Sequence, residues 1–328
     1  MQQTTVPLVA DSHGLICAFG LRPLVRLELD ALKDIEPESP VWLHFNLADR
    51  RARDWLSEQS QLPEAVLEAL LEEGSHVHVQ ILQHGFVATL RDLDHDANGG
   101  EVRFGTFTVY VDAQRMVSVR RHPLETFDRL RRELYMGLEL PSPVALFEHL
   151  VECLADTFES TVARLASTVE DAEDSILAGH QKEQGTELRQ VRWLLARLRR
   201  EARANRTALA RIPSHLPAAC GSDRQQSMAA AVDRFAGVAQ DLELVEDRAR
   251  LMQEEIAGRL SEATNKNLYL LSIVTTALFP ITLITGIFGM NVGGLPWMED
   301  PRGFTHAMVI IGVAVAITLT LIGRTRMR

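Results

Sequence analysis

Cysteine is scarce in this chain of 328 residues. Cys17, Cys153 and Cys220 stand far apart and are odd in number, which excludes a disulfide framework and the paired spacing of a zinc finger. Aromatic residues make up only 6% of the chain, a poor match to a base-stacking RNA binder. A formal net charge of -10 also disfavours nucleic acid and favours cations. No phosphate loop, His-Glu-x-x-His run or nucleophile–base constellation is present, so an enzyme is not expected. The first twenty residues hold no basic segment followed by an apolar core, and no secretory signal is expected there. The most informative absence is that of charge. Asp, Glu, Lys and Arg are 24% of the chain, yet none occurs in residues 267–298 or in residues 305–323.

Those two gaps read as a membrane hairpin, with spans at 268–288 and 305–323. A bilayer core of about 30 Å takes about 20 helical residues, and both segments have that length. A core helix of a soluble domain normally keeps one polar face, which these segments lack. Arg324, Arg326 and Arg328 follow the second span, and Arg259 and Lys266 precede the first. The connecting loop sets Arg302 against Glu299 and Asp300. Basic flanks stay on the cytoplasmic side of a membrane. Both termini and the large N-terminal body are therefore expected in the cytoplasm, as in a multi-pass protein of a bacterial-type inner (plasma) membrane. Reduced cysteines agree with that compartment.

The spans differ in texture. The second is almost uniformly aliphatic, whereas the first carries Ser272, Thr275, Thr276, Thr282 and Thr285 together with Pro280 and Gly286. Steps of three or four residues put Asn265, Leu271, Thr275, Phe279, Thr282 and Gly286 on one stripe. Such a stripe suits either a helix–helix seam or a pore wall. Two spans cannot enclose a pathway, so a channel would need several copies in a closed ring.

Directly after the first span stand Gly289, Met290 and Asn291, with Tyr269 and Pro280 inside it and Gly286-Ile287-Phe288 at its end. This pattern resembles the CorA-type metal-ion transporters: an early tyrosine, a mid-span proline, and a Gly-Met-Asn triplet at the outer mouth. The next residues, Val292-Gly293-Gly294-Leu295-Pro296-Trp297, resemble the zinc-associated ZntB-like branch. Magnesium-type members usually carry an aromatic and an acidic residue there, then a Met-Pro-Glu run. The resemblance covers the whole chain in architecture and residues 265–328 in motif.

The resemblance implies an α+β membrane protein assembled as a funnel-shaped homopentamer. Its parts would be a cytoplasmic α/β domain at 1–140, long cytoplasmic helices and a stalk at 141–266, and a transmembrane hairpin at 267–328. First spans would line the pore and second spans would form an outer ring, with Gly289, Met290 and Asn291 at the outer entrance. The transported ion would be zinc, with magnesium, cobalt, nickel and cadmium as further candidates, and no resident cofactor. A magnesium/cobalt channel of the same family is the alternative. A membrane-anchored cytoplasmic sensor or enzyme is a distant one.

The chemistry of the residues fits that role. An asparagine carboxamide offers an acceptor oxygen without charge, and conduction needs binding weak enough to release. Asn291 also reads as an ordinary helix C-cap or turn residue. A dehydrated zinc ion wants Cys, His or carboxylate at about 2.0–2.3 Å, and none lies in residues 267–298. The ion is therefore expected to cross hydrated. The span has no side-chain proton relay either. Proton coupling, associated with the zinc branch, would need water, the loop acids or the cytoplasmic body. Glu299, Asp300 and His306 would concentrate cations at the mouth or simply form a solvated loop.

In the body, strands are expected at 42–47, 77–82, 86–90, 102–111 and 116–120, with a helix at 63–72. Residues 92–100 form an acidic connection in which Asp92, Asp94 and His95 offer mixed metal ligands, without the spacing of a calcium hand. An exposed hairpin loop is the plainer reading of the same residues. His76 and His78 would share one strand face. Residues 143–211 read as two helices broken near 179–185. The first ends acidic with Glu170, Asp171, Glu173 and Asp174, and the second is arginine-rich. A complementary antiparallel pair, or a regulatory cation site at Glu170 and Asp171, follows from that. Two prolines interrupt at 212–217. A last helix begins near 223 and can run unbroken into the first span, about 65 residues or about 100 Å. Its acidic excess, Asp241 to Glu255, would flank a funnel or face solvent.

Overall fold

Strands that are buried on both faces read as near-continuous apolar runs, and the inner strands here do so. β1 (Leu15–Leu21), β3 (Val41–Asn46), β5 (Gly85–Leu93), β6 (Phe104–Asp112) and β7 (Arg115–Arg120) are buried at most positions, while β2 (Leu24–Arg26) and β4 (His78–Leu82) lie at the edges. The computed structural model describes residues 14–28, 39–74, 76–94, 102–177, 181–216, 221–290, 292, 294–297 and 301–325. The chain divides into two compact units, Met1–Met252 and Gln253–Arg328.

In the first unit the seven strands form one sheet in the order β2-β1-β3-β7-β6-β5-β4. All neighbours are antiparallel except β3 and β7, which pair in parallel from Val41↔Arg115 to Asn46↔Arg120. One face presents Leu43, Phe45, Val87, Tyr110, Val117 and Val119. Against it pack Ala52 and Leu56 of α1 (Arg50–Glu58) and Val66 and Leu70 of α2 (Glu64–Leu71). Asp49 caps α1 by accepting from the Arg51 N–H at 2.9 Å. The other face presents Trp42, His44 and Phe107 to Phe127 of α3 (Glu125–Tyr135). Phe127 stacks on His44 at 4.3 Å and meets Phe107 edge-on at 4.8 Å. Burial holds the His44 ring far below its ordinary pKa, so it sits neutral beside Ser118, at 2.8 Å.

Three long helices follow: α4 (Pro143–Leu177), α5 (Gln181–Leu209) and α6 (Gly221–Phe288). A short 3-10 turn, Pro213–His215, separates α5 from α6 where the two prolines forbid continuation. α4 ends at Leu177 and α5 begins at Gln181, so Gly185, where the break was expected to end, lies inside α5. Charge pairing also differs from the expectation. The acidic end of α4 is matched by α6: Arg248 reaches Glu170 at 2.9 Å and Glu173 at 2.7 Å. Arg224 pairs with Glu148 at 2.8 Å, and Arg234 with Glu159 at 2.7 Å and Asp156 at 2.5 Å. Phe158 meets Phe235 edge-on at 5.8 Å. Partner numbers rise together along both helices, so α4 and α6 run parallel in one register.

The second unit holds the end of α6 and α7 (Gly303–Thr325). Both contain an apolar stretch long enough to cross a membrane, with mean hydropathy 2.0 and 1.9 over 18 residues, and none of either stretch is buried.

Phe127→Ala removes the ring that ties α3 to the sheet. It is expected to destabilise the folded chain by about 3–5 kcal/mol, read from denaturant unfolding of the purified protein.

Candidate ion pathway and metal-ligand clusters

Half-buried positions of α6 within its apolar stretch are Ile273, Ala277, Pro280, Ile281, Ile284 and Phe288. At about 100° per residue they cover one arc of about 100°. In α7 the half-buried positions Ala307, Ile311, Ala314, Val315 and Thr318 form a similar stripe. Each of the two helices thus has one less exposed side. Asn265, Leu271, Thr275, Phe279, Thr282 and Gly286 lie on the opposite side of α6, all exposed, with Leu271 63% and Phe279 67% accessible. The stripe is therefore no seam within this chain.

The threonine hydroxyls of this stretch of α6, Thr275 and Thr282 of the stripe among them, have one property in common. Thr275, Thr276, Thr282 and Thr285 donate to the carbonyls of Leu271, Ser272, Leu278 and Ile281 at 2.7–3.0 Å. Each hydroxyl hydrogen is spent on the helix's own backbone, so the oxygen faces outward as an acceptor only. Pro280 has no N–H to offer the Thr276 carbonyl, which adds another acceptor.

α6 ends at Phe288, and Gly289 and Met290 follow at once. The Gly289 N–H still donates to the Thr285 carbonyl at 2.9 Å. A Cβ on Gly289 would come within 3.0 Å of that same oxygen, which favours glycine there. Asn291, Glu299 and Asp300 lie outside the described residues. The connection closes with Trp297 stacked on His306 at 5.2 Å.

The expected ligands of the body fall differently. Asp92 belongs to β5 rather than to a loop, because the strand continues to Leu93. It is fully buried, accepting from the Thr126 hydroxyl at 2.8 Å and the Leu93 N–H at 2.7 Å. Both oxygens are engaged in tying β5 to α3, since the second accepts from the Thr126 N–H at 3.3 Å. Burial lifts the Asp92 carboxyl to about 7 against those hydrogen bonds. Asp94 forms an isolated bridge with Leu124, and His95 lies outside the described residues. His76 precedes β4, and its carbonyl meets the His78 ring at 2.7 Å, so the two do not share a strand face. Glu170 is taken by Arg248, and Asp171 is exposed.

A different cluster comes together. Glu133 of α3 and His149 and Cys153 of α4 bring three ligand atoms within 4.8 Å of one another. His149 and Cys153 sit one turn apart, a spacing legible in the sequence. Glu133 precedes them across a chain reversal that no local pattern foretells.

The sequence profile of the family described as "CorA-like Mg2+ transporter protein" matches residues 37–324. The chain belongs to this family of metal-ion transporters. It is thus a transporter of divalent cations, not an enzyme. The divalent cation transporter CmaX of Pseudomonas aeruginosa is 26% identical over 310 residues, covering 92% of this chain and 93% of that protein. The zinc transport protein ZntB of Pectobacterium carotovorum is 27% identical over 278 residues, covering 84% and 85%. The solved structure of full-length CmaX superposes with a TM-score of 0.82 at 26% identity, covering 97% of this chain and 99% of that one. The CorA magnesium transporter of Methanocaldococcus jannaschii shares the fold, with a TM-score of 0.78 at 17% identity over 93% and 96% of the chains.

Asp92 yields a pH prediction. Its ordinary value of 3.8 applies unfolded and about 7 folded, so between those values the folded state holds more protons and stability falls as pH rises. Asp92→Asn, which keeps an acceptor for Thr126, is expected to flatten that slope. Thermal midpoints measured at pH 5 and pH 8 should differ less in the variant than in the parent.

Proposed function

We propose that this CorA-family chain carries zinc, as a hydrated ion, through a homopentameric pore lined by the outward stripe of α6. The observation that supports this reading most is the stripe itself: exposed, uncharged, carrying the acceptor oxygens of Thr275 and Thr282, and opposite the half-buried side of α6. A hydrated cation presents water hydrogens, and acceptor-only oxygens match them without stripping the shell. Asn291 forms the polar ring at the outer entrance, following the helix end that Gly289 permits. Glu299 and Asp300 raise the local cation concentration there.

Zinc is favoured over magnesium by the Val292-Gly293-Gly294 sequence after the triplet and by the ZntB relatives, which are zinc transport proteins. Magnesium and cobalt transport is the second reading, favoured by the name of the family. Both termini lie in the cytoplasm of an inner membrane, since Arg324, Arg326 and Arg328 flank one span and Arg259 and Lys266 the other. Residues 1–140 act as the cytoplasmic α/β domain, 141–266 as its long helices and stalk, and 267–328 as the membrane hairpin.

Asn291→Ala is expected to abolish zinc uptake into proteoliposomes while the oligomer still assembles on size-exclusion chromatography; unchanged uptake would remove Asn291 from the pathway. Exchanging residues 292–294 for an aromatic and acidic magnesium-type sequence should shift the zinc-to-magnesium flux ratio towards magnesium. An unchanged ratio would place ion selection elsewhere.

A further inference from the structure

We propose that Glu133, His149 and Cys153 form a binding site for a soft or borderline divalent cation such as Zn2+, resident on the first unit and separate from the pathway. The case rests on the geometry of these residues and stands whether or not zinc is the ion transported.

Tetrahedral zinc holds sulfur at about 2.3 Å and nitrogen or oxygen at about 2.0–2.2 Å, which sets its ligand atoms roughly 3.4–3.6 Å apart. The Cys153 sulfur lies 3.6 Å from Glu133 Oε2 and 3.7 Å from His149 Nε2. Two of the three separations thus already match a bound ion. The third, His149 Nε2 to Glu133 Oε2, is 2.6 Å, a hydrogen-bond length that would open by less than 1 Å as an ion replaced the shared proton.

The surroundings hold these atoms in place. Glu152 Oε2 lies 3.1 Å from the other ring nitrogen, Nδ1. An Nδ1–H donated to a carboxylate leaves the Nε2 lone pair facing the site, the arrangement that orients a metal-bound histidine. Arg129 donates from Nε to Glu133 Oε1 at 3.0 Å, fixing the carboxylate with Oε2 towards His149 and Cys153. Burial opposes the charged form of Glu133, but hydrogen bonds from His149 and Arg129 outweigh it and keep the group ionised. The Cys153 thiol, buried first and beside Glu133 second, is pushed to about 12. It therefore stays protonated until a metal displaces the proton, as a coordinating cation does. Binding releases the thiol proton to solvent, while the single proton of the neutral His149 ring, facing Glu133 in the free chain, moves to Nδ1 facing Glu152, with no change of oxidation state. The sulfur is buried while the imidazole and carboxylate are partly exposed, which leaves an entry from solvent.

The donor set also names its ion. Sulfur and imidazole select zinc, cobalt or cadmium, whereas magnesium takes oxygen and keeps its waters. One turn beyond Cys153, Asp156 is shared by Arg129 and by Arg234 of α6, so a bound ion adjoins the ties between α4 and α6.

The test uses the purified full-length chain in detergent, stripped of metal and titrated with Co2+. The expected result is a thiolate-to-cobalt charge-transfer absorption in the near ultraviolet, abolished by equimolar Zn2+ and unaffected by excess Mg2+. Cys153→Ser should lose the band, and Glu152→Gln should weaken Zn2+ competition by about 10–100-fold. Absence of the band in the parent, or its persistence in Cys153→Ser, would overturn the assignment. Cys153→Ala and thermal melts of the metal-free proteins show that a lost band is not lost folding. His149→Ala binding Co2+ as tightly as the parent would also overturn it. Zinc flux is measured in parallel, so a failed binding site and a failed zinc pathway give different results.

Discussion

The register of α6 on α4 is the constraint on which the first unit depends. Arg224, Arg234 and Arg248 each reach across to carboxylates whose numbers lie 75–78 positions earlier, and the Phe158–Phe235 contact obeys the same offset. Individually such half-exposed ion pairs contribute little, about 0–1 kcal/mol each. Their value is positional: the three arginines and the Phe158–Phe235 contact share one offset, and a shift of one helix along the other would break the aromatic contact and disrupt the two-carboxylate pairings of Arg234 and Arg248. α4 is in turn fixed to the sheet through Phe86–Phe147 and, by way of Thr126 and Thr157, through the buried Asp92.

Asp92 shows why side-chain chemistry misleads when burial is not visible. Next to Asp94, His95 and Asp96 it looks like part of an acidic loop, and its type suggests a ligand. In the fold it ends a strand and caps the start of α3, a role set by Thr126, 34 positions away. The Glu170 cluster has the same history. Its acidity was legible, while its partner, Arg248, lies 78 positions further on.

What periodicity governs was legible. The strands β3, β5, β6 and β7, the two helices after 143, the proline break and the long last helix all follow from local pattern, and so does the charge-free hairpin. β1, β2, α1 and α3 were not read. β2 is three residues long, and α1 is mostly charged, with only Ala52 and Leu56 fully buried. α3 does carry the helical spacing Phe127, Leu130, Leu134, but among six charged residues. On α6, spacing alone gave a stripe and leaned to a helix–helix seam over a pore wall. The half-buried face opposite it could not be read from composition, because both faces are apolar.

The threonines of that stripe carry a consequence for recognition. A hydroxyl whose hydrogen is committed to the helix can respond only to donors, and the outside of any cation's water shell consists of donors. From such a surface the identity of the metal inside the shell is concealed: charge density and shell size remain perceptible, but affinity for sulfur or nitrogen does not. A protein that must tell a borderline metal from a hard one would then need to do so where the shell is shed, at a place that offers sulfur and imidazole.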